Sequence, residues 1–163
     1  MDILDEEKEQ ISKEYQREVK RLEDTLEKTS ELIAAITHYT GIVSSAERQN
    51  KIFYRGLSRI LDQPEFRDLD KTRVLIKMIE DKEALFGIIN RDFNDSVKVY
   101  IGEESGCPQM QDCAIAVSRY HIKNKPSGRV AVLGPIRMEY EHIIPLLEYI
   151  SDMLTDTLSR IDD

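Results

Sequence analysis

The 163-residue sequence predicts an α+β protein: a reduced antiparallel sheet of three to four strands packed with helices, preceded by a long N-terminal coiled-coil-like helix. Three observations carry this. The first 39 residues contain neither glycine nor proline and repeat apolar residues at helical spacing. The apolar period switches from helical to alternating after Asn94-Asp95. CAIAVSRYHI and RVAVLG, joined by the turn-rich KNKPSG, read as an antiparallel hairpin.

The N-terminal segment is the first element. Tyr15, Val19, Leu22, Leu26, Thr29, Ile33 and Ile36 alternate steps of four and three, which is a heptad seam. Residues 1–40 hold 11 acidic and 6 basic residues, so the segment carries −5 of the net charge of −8. A solvated helix with one apolar stripe must cover that stripe with a second copy or with the rest of its own chain. Self-association is accordingly assigned to Tyr15, Val19, Leu22, Leu26, Ile33 and Ile36, within a helical unit of residues 1–40 followed by a regulatory domain of 41–163. Thr40-Gly41 is expected to end the helix.

IVSSAERQNK, residues 42–51, reads as a polar linker or loop, and Ile52–Tyr54 as a short strand. A helical turn with Leu57, Ile60 and Leu61 follows and stops at Pro64. Asp68 and Asp70 open a second long amphipathic helix running to Ile89, where acidic residues suit the positive end of the helix dipole. SVKVYIGEES alternates as a half-buried strand, and the hairpin comes next. The last helix runs from near Tyr140 to about Ile161, with Pro145 in its first turns, where a missing N–H is tolerated.

Composition excludes several function classes. An acidic chain without a basic stripe is poorly built to grip phosphate backbones. No apolar run approaches a membrane span, the N-terminus is charged from Asp2 onward, and two cysteines suit a reducing cytoplasm. Cys107 and Cys113 are spaced too widely for the usual zinc pairs, and neither they nor His38, His121 or His142 form a nucleophile motif. No metal, cofactor or catalytic set is expected. Gly134-Pro135-Ile136-Arg137 leads into a helix start, which either offers free N–H groups to an anion or aims a helix across the sheet. No Ser, Thr, Asn or Asp occupies positions 135–142, and the structural corner is preferred.

The stretches Glu18 to Val43, Ile52 to Ile89 and Val99 to Ser151 resemble the heat-inducible transcription repressor HrcA family. LDQPEF, YIGEES, MQDC and GPIRMEY carry the likeness in the family's order. Gly134, Pro135, Arg137, Met138 and Tyr140 match a family signature, although Ile136 and Glu139 stand where members commonly carry Thr and Asp. The resemblance implies a GAF-like regulatory domain of a dimeric repressor. It also implies an N-terminal winged-helix domain that reads the operator CIRCE, and the chaperonin GroEL as a partner. No winged-helix domain is found in this sequence, so DNA binding is expected only where one is supplied elsewhere. Only residues 44–51 separate Val43 from Ile52, where the family carries further strands and an inserted dimerising domain. A smaller sheet and a substitute dimer contact through the N-terminal helix follow from that gap. The expected role is a regulatory and dimerisation module in repression of chaperone operons. A small-ligand-sensing GAF-like module, or a modulator that pairs with a full-length repressor, are the alternatives.

Overall fold

The structure, a computed structural model, describes residues 5–45, 51–124 and 127–161. A helix α1 (Asp5–Thr37) is followed by β1 (Thr40–Ser44), β2 (Ile52–Arg55), α2 (Leu57–Leu61), α3 (Leu69–Glu80) and α4 (Lys82–Ile89). Strands β3 (Val97–Ile101), β4 (Cys113–Tyr120) and β5 (Gly128–Pro135) and the helix α5 (Tyr140–Ile161) complete the chain. The five strands form one antiparallel sheet in the order β2-β1-β5-β4-β3, a GAF-like α+β arrangement.

The sheet is larger than the three or four strands expected, because Thr40–Ser44 is a strand and not a linker. It lies between β2 and β5 with every residue buried. Its polar residues concealed it. Ser44 is satisfied inside the sheet: its carbonyl accepts the Tyr120 hydroxyl, and its Oγ accepts the Arg129 N–H at 2.9 Å. The helix also ends differently. His38, at φ 62°, takes the left-handed position expected of Gly41, and Gly41 is buried in β1 against α1. A Cβ on Gly41 would lie 2.4 Å from the Ser30 carbonyl oxygen, so glycine sets how closely helix and strand approach. Residues 46–50 of the expected linker, and Lys125 and Pro126 of the hairpin turn, lie outside the described residues.

The helix expected from Asp68 to Ile89 is two. Asp81 breaks it with extended φ/ψ, closes α3 through its N–H to the Lys77 oxygen at 3.1 Å, and caps α4 by accepting from the Ala84 N–H at 3.2 Å. Asp68 caps α3 in the same way. The apolar spacing runs through this break unchanged, which is why it reads as continuous.

Side chains alternate across the sheet. Ile115, Val117, Ala131 and Leu133 face α3 and α4, where Leu75, Met78, Ile79, Leu85 and Ile89 cover them. Ala114, Ala116, Val130 and Val132 face α1 and α5, against Leu26, Ile33, Ile143 and Leu147. Two apolar layers therefore enclose the sheet, and α1 forms part of one of them.

Candidate regulatory site

The helix α1 divides into two halves. Its buried residues are Leu22, Leu26, Ser30, Ile33, Ala34 and Thr37, while positions 5–18 are all exposed. At 33 residues it is about 50 Å long, whereas a five-residue strand such as β1 extends only about 17 Å. Of the six seam residues, Leu22, Leu26 and Ile33 lie in the core of their own chain. Val19 is half-buried, and Tyr15 and Ile36 are 65% and 48% exposed. Ile11, one turn before Tyr15, is exposed as well, so the apolar row continues towards the start of the helix.

Cations from the next segment hold the covered half in place. Arg55 bonds Glu27 and Glu31, which fixes the flank of α1 that faces β2. The last turn of α1 has no basic residue of its own. Arg59 supplies one, with Nη1 3.0 Å from the Ala34 carbonyl oxygen and 3.0 Å from His38 Nδ1. A cation donating to a C-terminal carbonyl offsets the negative end of the helix dipole. Sequence reading missed both arginines, because their partners are 20 or more residues away.

The signature residues gather at one end of the sheet. The strand register places the start of β1, the ends of β2, β3 and β5 and the start of β4 together there. Gly134 leaves room for Met138 to fold back: a Cβ would meet Met138 Sδ at 2.5 Å and Tyr39 Cγ at 3.0 Å. Met138 is only 3% exposed. Arg137 Nη2 donates to Gln63 Oε1 at 2.6 Å, tying GPIRMEY to LDQPEF. Asp112 of MQDC pairs with Lys71 at 3.2 Å. The Tyr140 hydroxyl donates to the Ile136 carbonyl, and burial, then the nearby Tyr39 and Glu104, raise its pKa above the usual tyrosine value.

YIGEES is folded by its own side chains. Gly102 and Gly106 take left-handed φ of 57° and 75°, and the Ser105 hydroxyl donates to the Gly102 oxygen at 3.0 Å. Arg91 donates to the carbonyls of Glu104 and Ser105 and stacks on Tyr100 at 5.1 Å. This end is built as a set of locked corners.

Arg129 is a third residue that sequence reading missed. It is 6% exposed, stands opposite Arg119 across the β4–β5 ladder, and donates to the Ile89 oxygen at 3.0 Å and to Ser127 Oγ at 2.7 Å. Burial first, then the charge of Arg119, lowers its pKa from the usual arginine value. The Phe93 ring is in reach of the two guanidiniums, 4.5 Å from Arg119 and 5.9 Å from Arg129. Cys113 is buried, and the Cys107 thiol donates to Gln109 Oε1 at 2.7 Å. Among the described residues no three His, Cys, Asp or Glu side chains cluster as metal ligands, and no helix is long and apolar enough to cross a membrane.

A crystal structure described only as that of a hypothetical protein at 2.2 Å resolution shares the fold, with a TM-score of 0.58 and 21% identity, over 71% of this chain and 35% of that one. The heat-inducible transcription repressor HrcA of Oceanobacillus iheyensis is 37% identical over 114 residues, 70% of this chain and 33% of the relative. The protein of the same name from Listeria welshimeri is 35% identical over 113 residues, 69% and 32% of the two chains. That from Brevibacillus brevis is 30% identical over 150 residues, 92% and 40%. The chain thus spans between about a third and two fifths of the length of these relatives. Residues 44–144 match the family model described as the HrcA protein C terminal domain, and the chain belongs to the heat-inducible transcription repressor HrcA family.

Proposed function

We propose that this chain is the regulatory and self-associating part of a heat-inducible repressor, acting in the cytoplasm in negative regulation of chaperone operons, with operator reading supplied outside these 163 residues. Family membership supports the regulatory role, and the relatives, named as repressors, are about two and a half to three times as long as the matched segment. The observation that carries self-association is the α1 seam, which continues past Val19 to Tyr15 and Ile11 without cover from the chain's own sheet. Apolar burial of such side chains contributes roughly 1.5–3 kcal/mol each, enough for a few of them to hold a dimer. GroEL is proposed as a partner on the strength of the family alone.

A ligand-sensing role is less well supported. The two faces of the sheet, one of which would have to admit a ligand, are filled by side chains of α3 and α4 and of α1 and α5. The test is an operator gel shift with this chain alone and again beside a full-length repressor. No shift by the chain alone is expected. A shift would contradict the assignment of operator reading to a different segment, and weakening of the repressor's own shift would mark this chain as a modulator that forms mixed dimers.

A further inference from the structure

Among the described residues, two apolar surfaces are exposed near the ends of the α1 seam and the α1–α5 contact. The first is the seam on the exposed half of α1, with Ile11 and Tyr15 47% and 65% exposed and Val19 half-buried. The second is a ridge between α1 and α5. Leu32 and Ile36 of α1 are 59% and 48% exposed, and Tyr149 and Met153 of α5 are 65% and 48% exposed. Contacts within the chain fix which flanks these are. Arg55 of β2 holds Glu27 and Glu31, so Leu32 and Ile36, more than a quarter-turn round from both, lie on the flank of α1 turned towards α5. Ser96 bonds Glu148 at 3.0 Å and the His121 N–H bonds Thr155 at 3.0 Å, both on the β3 side of α5. Half-buried Leu146 and Ile150, with Met153, therefore lie on the flank turned towards α1.

We propose that the exposed half of α1 of a second copy lies in the α1–α5 groove of the first, reciprocally, so that two chains close into a two-fold dimer by exchanging arms. This rests on the self-association reading above and names the surface that receives the helix. Lengths are compatible: residues 5–21 make an arm of about 25 Å, enough to span Leu146 to Met153, about 11 Å along α5. Area agrees as well. Six exposed large side chains at roughly 100 Å² each, with the half-buried Val19, Leu146 and Ile150, come to at most about 800 Å² per copy, within the size of a standard specific interface. A reciprocal exchange covers both surfaces with one symmetric contact and leaves no open end to propagate.

Crosslinking distinguishes this arrangement from arm-to-arm pairing. In a Cys107→Ser background, where the remaining Cys113 is 1% exposed, Tyr15→Cys chains are mixed with Met153→Cys chains and treated with a short thiol crosslinker. The expected product is the mixed Tyr15–Met153 dimer, in excess of either like-with-like product. Independently, Leu32→Glu with Met153→Glu, at two exposed sites and with the fold checked by circular dichroism, is expected to weaken dimerisation at least tenfold. Predominance of the Tyr15–Tyr15 product, or undiminished dimerisation of the double variant, would overturn the exchange while leaving self-association standing. A monomer at every concentration for the unmodified chain would overturn both.

Discussion

Arg137 donates to Gln63 across 74 residues of sequence, at 2.6 Å, and joins the turn before α5 to the turn after α2. Both side chains are reachable by solvent, so the bond is worth modest stability, about 0.5–1.5 kcal/mol. Arg137→Ala or Gln63→Ala is expected to lower the urea midpoint slightly with an unchanged slope. The double variant should lose less than the sum of the two. Strict additivity would show that the two side chains do not act on one another.

Gly134→Ala is expected to cost more than either. The added methyl meets Met138 Sδ and Tyr39 Cγ at once, and overpacking of this kind costs typically 1–3 kcal/mol. Shortening Met138 to Ala in the same chain should return part of that loss, measured by thermal unfolding of the single and double variants.

Leu26 and Tyr15 share a seam but should behave oppositely. Leu26, fully buried, is expected to lose about 2–5 kcal/mol of folding stability on Leu26→Ala. Tyr15→Asp, at an exposed position, should leave monomer stability within about 0.5 kcal/mol and act on association. Denaturant melts at low protein concentration separate the two.

Tyr140 sets a limit at high pH. Its folded pKa is raised above the unfolded value, so the neutral phenol is the form that folding favours. The stability it contributes is complete below the ordinary tyrosine pKa and is lost as pH rises through the folded one. An ionised phenol also cannot donate to the Ile136 carbonyl. Melting temperature should fall more steeply in alkali for this chain than for Tyr140→Phe. Identical alkaline profiles would show that another group is responsible.

Legibility of the sequence followed the range of the interactions. The hairpin, the last helix and the amphipathic α1 were readable because alternation and heptad spacing are set by neighbours a few residues away. β1 was not, since its polar Thr40 and Ser44 disguise a central strand, and Ser44 is satisfied by Tyr120 and Arg129 of distant strands. The α3–α4 break was hidden because Asp81 interrupts the backbone without interrupting the apolar spacing. Of the α1 seam, the periodicity was readable but the division of labour was not: where the sheet stops beneath Leu22 is a property of the fold. Arg59, Arg129 and the Arg137–Gln63 bond join segments far apart in sequence and left no local pattern to find.

Sedimentation velocity over a concentration series, comparing the unmodified chain with Tyr15→Asp/Val19→Asp, tests the central claim most directly. Tyr15 is exposed and Val19 half-buried, and circular dichroism of the variant checks that its helical content is kept. A dimer for the unmodified chain and a monomer of the same helical content for the variant are predicted. An unchanged sedimentation coefficient between the two would contradict self-association through α1.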